Sequence, residues 1–150
     1  MSDSVCFCLV YKNSCGKASA DLVLFFSLSY CPKSNVLKEI GCDFGILVDS
    51  VDAKSSLGID KSEESIQIAN SRYPNQRFLL CDVFEDDLTE EINRTQKESL
   101  VVSIDINGNR ELPAVLKCIQ FVLDSWAPRL IMVKSRELHA KMKSEANPAE

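Results

Sequence analysis

From residue 36 onward, short apolar runs alternate with segments whose apolar positions recur every three or four residues. Val36 to Ile40 has the length and content of a strand. Ile46, Leu47, Val48 and Val51 then predict a short helix from Gly45 to about Ala53. Leu57 to Ile59 predicts a second strand. Ser62 follows as a helix N-cap, with Glu63 and Glu64 in the first turn, where carboxylates suit the positive end of the helix dipole. That helix runs to about Tyr73 and is stopped by Pro74. Arg77 to Cys81 is a third strand, Leu88 to about Lys97 a polar surface helix, and Leu100 to Ile104 a fourth strand. The strongest periodicity comes next. Leu112, Val115, Leu116, Ile119, Val122, Leu123 and Trp126 fall on one helical face, with Pro113 tolerated in the first turn and Pro128 beyond the end. Leu130 to Val133 is a fifth strand, and Arg136 to about Glu145 a closing amphipathic helix.

Apolar strands alternating with helices predict an open, mostly parallel α/β sheet of five strands with helices on both faces. Residues 1–35 do not follow this rhythm. Val5 to Tyr11 and Asp21 to Tyr30 read either as two strands around the polar turn Lys12 to Ser19 or as an irregular extension. The expected organisation is therefore an N-terminal extension (1–35), an α/β domain (36–145) and a frayed tail (146–150).

Composition narrows the function classes. At 150 residues the chain can bury a core as one domain. Its net charge of −5 argues against binding nucleic acid through a broad basic surface. The longest apolar run, Leu22 to Leu28, contains Ser27 and is far short of the ~20 residues of a membrane span. The N-terminus lacks a basic signal-peptide region. A soluble protein of the cytoplasm, with the nucleus also open to it, is the expectation. Seven cysteines and a single histidine, His139, show no zinc-ligand spacing, so no metal site is expected. Cys81 and Cys118 lie among apolar residues and read as buried thiols.

Candidate chemistry gathers at the strand ends. Gly41 and Gly45 lie in the turn after the first strand of the repeat. Asp60 ends the second strand, nineteen positions after Gly41. A glycine turn followed by a carboxylate at about this distance is how α/β domains hold a nucleoside. Asp82 and Asp105 end the next two strands, so three carboxylates share the edge where open α/β sheets bind ligands. A dinucleotide would need bare amides at G-x-G-x-x-G spacing. Here the spacing is Gly41-x-x-x-Gly45, and Asp43 in its centre would repel a pyrophosphate. An acidic mouth of Glu39, Asp43 and Asp60 suits S-adenosylmethionine, which carries a sulfonium and an ammonium.

Residues 36 to 135 resemble the class I S-adenosylmethionine-dependent methyltransferase family, which has a Rossmann-like fold. The resemblance rests on Glu39-Ile40-Gly41-Cys42-Asp43-Phe44-Gly45 as the first motif and Leu57-Gly58-Ile59-Asp60-Lys61-Ser62 as the second strand and the start of its helix. Phe78-Leu79-Leu80-Cys81-Asp82-Val83 resembles the adenine segment, and Val102-Ser103-Ile104-Asp105 the fourth-strand motif. It implies S-adenosylmethionine as cofactor. Gly41 and Gly45 would bracket the methionine part, and Glu39 would face its ammonium. Asp60 would bind the ribose hydroxyls, Asp82 the adenine amino group with Val83 beside the ring, and Asp105 would lie near the methionine end and the acceptor.

The chain departs from that family in four places. Asp43 replaces a glycine. Lys38 interrupts the apolar residues before Glu39, which makes the lead-in, residues 1 to about 38, atypical. About 15 residues follow Ser135, enough for a helix, where the family continues with two more strands and a helix. The fifth strand would then be an edge prone to pairing. Finally, Asp105-Ile106-Asn107-Gly108 is not the Asn/Asp-Pro-Pro-aromatic motif of amino-directed members. Lys134 and Ser135 either face the acceptor or form a plain strand-end turn, and the turn is the simpler reading. The expected function is methyl transfer to an acceptor that the residues do not identify. The alternative is an inactive methyltransferase-like binding or scaffold protein. Asp43 and the glycine spacing disfavour a third class, oxidoreductases that bind a dinucleotide. No catalytic residue and no oligomeric state can be read from the chain.

Overall fold

The parallel sheet is built from strands buried on both faces. A computed structural model describes residues 6–10, 36–51, 56–94, 99–106 and 111–146. Six strands form one sheet: β1 (Cys6–Val10), β2 (Val36–Ile40), β3 (Ser56–Asp60), β4 (Phe78–Leu80), β5 (Leu100–Ile104) and β6 (Leu130–Lys134). Their order is β1-β6-β5-β2-β3-β4, and every neighbouring pair is parallel. Among the described residues, five helices connect and close them: α1 (Ile46–Asp49), α2 (Glu63–Arg72), α3 (Thr89–Asn93), α4 (Leu112–Trp126) and α5 (Arg136–Ala146).

The five strands of the repeat occur where the apolar runs predict them. The sixth, β1, pairs along β6 from Cys6↔Leu130 to Val10↔Lys134. This corrects the expectation of an exposed edge on β6: a strand already occupies it. The second strand suggested for the N-terminal region, Asp21 to Tyr30, and the tail 147–150 lie outside the described residues. Among those described, no helix is long and apolar enough to cross a membrane.

Strand alternation sends side chains to two cores. On one face Ile40, Leu57, Ile59, Val102, Ile104, Ile131 and Val133 pack with Val115, Cys118, Val122 and Trp126 of α4. On the other, Leu37, Val101, Leu130 and Met132 pack with Leu47 of α1. Ile66 of α2 meets Cys42, Val48 and Phe78. Ser62 caps α2 by accepting the Ser65 N–H at 3.2 Å. α4 ends at Ala127 in the left-handed region, where the backbone leaves the helix just before Pro128.

Lys38 is the residue that the strand pattern makes costly, because a lysine in a central strand must bury its amine or pair it. It is 3% exposed. Its Nζ donates to the Glu91 backbone carbonyl at 3.1 Å and to Glu91 Oε2 at 3.3 Å, and stands 4.9 Å from the Trp126 ring centroid. Burial pushes the Lys38 ammonium below its ordinary pKa, and Glu91 opposes that shift. Burial would raise the Glu91 carboxyl, but Lys38 and Arg77 together outweigh it and hold the group below its usual value.

Removing Glu91 strands the buried Lys38 ammonium, whereas replacing Lys38 by an apolar chain leaves Glu91 still paired with Arg77, at 2.9 Å. Glu91→Ala is therefore expected to cost about 3 kcal/mol in urea unfolding. Lys38→Met should remain within about 1 kcal/mol of wild type or exceed it. Equal losses from both substitutions would refute this account.

Candidate functional site

The chain runs outward through β2, β3 and β4, then returns to place β5 on the other side of β2. Connections diverge at such a reversal and leave a crevice beyond the C-terminal strand ends. A cavity of ≈ 820 Å³ opens there. Its lining comes from the ends of five strands and includes Gly41, Asp43, Asp60, Asp82, Val83, Asp105 and Lys134.

Gly41 sets the floor. Its φ is +81°, and a Cβ at this position would lie 2.2 Å from the Asp105 carbonyl oxygen. The N–H groups of Gly41 and Cys42 both donate to the Ile59 carbonyl, at 2.8 and 3.1 Å, while the Asp105 N–H donates to the Ile40 carbonyl at 2.8 Å. The turn is thus stitched to β3 on one side and to β5 on the other. Asp43 has φ +46°, a left-handed conformation that aspartate tolerates better than most residues. In that conformation its N–H donates to Asp60 Oδ2 at 3.0 Å, and the Ser62 N–H donates to Asp60 Oδ1 at 2.9 Å. Two amides therefore hold the Asp60 carboxylate in place, with accepting capacity left on each oxygen. The Ser65 hydroxyl donates to Asp43 Oδ1 at 3.3 Å and ties the turn to α2.

The other expected site residues take varied positions. Gly45 lies outside the cavity lining. At φ +78° it precedes α1, and a Cβ would strike the Phe78 ring at 2.5 Å, so its absence of a side chain serves packing behind the turn. Asp82 Oδ1 accepts the Phe84 N–H at 3.1 Å, and Oδ2 lies 3.5 Å from Lys61 Nζ. Val83 is buried and forms part of the wall. Asp105 Oδ2 forms an ion pair with Lys134 Nζ. Glu39 does not line the cavity. It is 6% exposed, and its Oε2 has no hydrogen-bond partner. Burial, then the negative charge of Asp105, raise its carboxyl well above the usual range; Lys134 opposes this, and Asp60 and Asp43 add to it.

Several lining residues escape a reading of strand-end carboxylates, among them Lys61, Ser62, Ser65, Phe84, Ile106 and Arg136. Their signal is adjacency, since a residue following a strand-end acid shares its rim. Lys134 and Ser135 also line the cavity, and Ser135 Oγ accepts the Leu138 N–H at 3.3 Å at the start of α5. His139 is half-buried and is not part of the lining. Cys42, Cys81 and Cys118 are buried free thiols; burial pushes Cys81 up to about 11 and Cys118 up to about 12, which leaves them poor nucleophiles. Among the described residues, no group of three or more His, Cys, Asp or Glu could hold a metal ion.

An all-parallel sheet whose strand order reverses between β2 and β5 is a Rossmann-like fold. Solved structures with this fold match the chain. One is a TehB-like SAM-dependent methyltransferase from Corynebacterium glutamicum, with 13% identity over 73% of this chain and 59% of that one, at TM-score 0.56. Another is magnesium protoporphyrin IX methyltransferase from Synechocystis with bound SAM, with 13% identity over 72% and 53%, at TM-score 0.51. A third is the sugar N-methyltransferase KedS8 from Streptoalloteichus, with 19% identity over 76% and 44%, at TM-score 0.50. The chain spans about half the length of these matched structures. No family profile matches its sequence, and no curated protein does.

Two substitutions test this construction. Gly41→Ala sets a Cβ against the Asp105 carbonyl in a backbone conformation that alanine resists, and should cost more than about 1 kcal/mol in thermal unfolding. Glu39→Gln tests the buried acid. A carboxyl whose folded pKa is raised contributes stability below its unfolded value and loses that contribution as pH rises through the folded one. Wild type should therefore lose stability as pH climbs above the ordinary carboxylate range, and Glu39→Gln should not share that decline. Urea unfolding across a pH series measures both, and parallel curves for the two proteins would contradict the assignment.

Proposed function

We propose that the cavity binds S-adenosylmethionine and serves methyl transfer to an acceptor. The observation that carries this reading is the Asp60 carboxylate, fixed at the rim by the Asp43 and Ser62 amides with accepting capacity left on each oxygen. The donor set fits the ligand on three further counts. The Gly41 floor leaves room that a Cβ would fill. The lining carries four carboxylates against the cationic side chains of Lys61, Lys134 and Arg136, a balance that stays negative and suits a cation, and Asp43 stands where a pyrophosphate would need bare amides. A volume of ≈ 820 Å³ is ordinary for a small-molecule site.

In this reading Asp60 takes the ribose hydroxyls. Asp82 accepts from the adenine amino group, and Val83 packs against the ring. Gly41 and the backbone after it lie along the methionine part. Glu39 acts on its ammonium from behind the floor, and Gly45 supports the turn from the packing side. Asp105 stands toward the acceptor. When bound, the donor supplies an electrophilic methyl carbon on a sulfonium. The protein's contribution is then alignment of donor and acceptor, which can carry much of the rate without an acid–base residue. Support for the ligand also comes from a matched structure solved with bound SAM.

One observation favours a second reading, a methyltransferase-like binding or scaffold protein without turnover. Asp105 and Lys134, the charged groups at the acceptor end, are engaged with each other. Calorimetry separates the readings. S-adenosylmethionine and its demethylated product should both bind, and Asp60→Ala should weaken binding by about 1.5–3 kcal/mol, the range for hydrogen bonds to a charged group. Unchanged affinity in Asp60→Ala would reject the ribose assignment. No binding to wild type at millimolar ligand would reject the function. Binding without methylation of any acceptor tested would favour the scaffold reading.

A further inference from the structure

The charges that line the cavity are unevenly spread. Around the ends of β2, β3 and β4, Asp43, Asp60 and Asp82 stand with a single cation, Lys61. Around the ends of β5 and β6 the order is reversed: Lys134 and Arg136 stand with Asp105 alone. The half assigned to the nucleoside is therefore acidic. The half toward the acceptor has one more positive group than negative ones among its lining residues.

Local structure gives its two cations different states. Ser135 accepts the Leu138 N–H at the start of α5, so strand passes into helix within one residue, with Lys134 and Arg136 on either side of the cap. Lys134, the last residue of β6, is half-buried and paired with Asp105. Arg136, the first residue of α5, is exposed, and among the described residues it forms no ion pair. The adjacent acid does not cancel it. Glu137 lies outside the lining, and its Oε2 accepts the Leu112 N–H at 2.7 Å at the start of α4. Glu39, behind this wall, is driven toward its neutral form chiefly by burial and adds little opposing charge.

A cation on the wall of a cleft acts more strongly on an anion than one in open solvent, because low-dielectric walls focus its field. The planar guanidinium fork matches a carboxylate with two parallel N–H···O bonds. An ammonium has three donors, so Lys134 can keep Asp105 and reach a further oxygen. The size of the imbalance selects among anions. A monoanion neutralises one surplus positive charge, whereas a phosphate dianion would leave this end negative beside Asp105.

We propose that the β6 end of the cavity anchors the acceptor, and that the acceptor carries a carboxylate, held by Arg136 with Lys134 beside it. The inference rests on the methyl-donor reading of the cavity and adds the class of acceptor, which that reading leaves open. Arg136 is then a specificity-determining residue: it selects acceptors by charge and takes no part in holding the donor.

NMR on the isotope-labelled full chain, saturated with S-adenosylhomocysteine, tests this. The amide signals of residues 134–138 are followed while benzoate, its uncharged isostere benzamide, or phenyl phosphate is added. Benzoate should shift them and bind about tenfold or more tighter than benzamide, the scale of a hydrogen bond to a charged group. It should also bind tighter than phenyl phosphate. Arg136→Gln should lose most of the preference for benzoate while still binding S-adenosylhomocysteine, and Arg136→Lys should recover part of it. No shift with benzoate, equal affinity for benzoate and benzamide, a preference for phenyl phosphate, or a benzoate preference that survives in Arg136→Gln would each overturn the proposal. The donor has a carboxylate of its own, so competition matters too. Displacement of benzoate by S-adenosylhomocysteine would assign the two cations to the donor, overturning the acceptor site and leaving the methyl-donor reading intact. Failure of S-adenosylhomocysteine to bind would overturn that reading, and the acceptor assignment with it.

Discussion

The ligand edge of this protein depends on one close approach, that of the Gly41 backbone to the Asp105 carbonyl. There is no space for a Cβ between them. Because the turn lies that close to β5, the Asp105 N–H reaches the Ile40 carbonyl while the Gly41 and Cys42 amides reach Ile59 on the opposite side. Three strands are thereby locked together at their C-terminal ends, beyond the last rungs of the sheet. A wider turn would free Asp43, and with it the amide that fixes one oxygen of Asp60.

Parallel strands bring their C-terminal ends to one edge, so acids that are far apart in sequence become neighbours. The fold must then neutralise them, and it does so differently at each strand. Asp60 accepts two amides, Asp82 an amide and a distant lysine, and Asp105 the ammonium of Lys134. Among the described acids at this edge, Glu39 is the one with a buried oxygen that has no donor. The cation and amides nearby serve other acids, which is why the burden of desolvation falls on it. The acidic character of the edge is therefore graded, from carboxylates held at the rim to one sealed behind it.

Much of this architecture was legible along the chain because its causes are local. The i, i+3, i+4 stripe from Leu112 to Trp126 becomes α4 over the same residues, and Ser62 caps α2 as its hydroxyl and the following glutamates suggest. Pro74 and Pro128 mark helix ends for steric reasons that need no tertiary context. The strand-end aspartates reach one cavity because strand polarity is common to the sheet. What was not legible depends on contacts distant in sequence. Lys38 looked like a fault in a central strand, and its partner Glu91 lies 53 residues on, in a helix that reads only as polar surface. The place of β1 beside β6 could not be read either, since an apolar pentapeptide does not declare which edge it joins. Gly45 has the spacing of a ligand-facing glycine, but the obstacle to a side chain there is the Phe78 ring.

Asp43 unites the local and distant causes. A glycine would adopt its positive φ without strain, and the neighbouring Gly41 and Gly45 show that the turn requires left-handed backbone. Aspartate in that position keeps the amide that holds Asp60 and adds a carboxylate that accepts the Ser65 hydroxyl from α2. The side chain therefore anchors the turn to the helix after β3, while the backbone anchors the acid at the end of β3. Its charge faces the same cavity and would repel a phosphate approaching the turn amides. The residue that departs most from a glycine-rich phosphate loop is thus the one that anchors this turn and sets a carboxylate against the cavity.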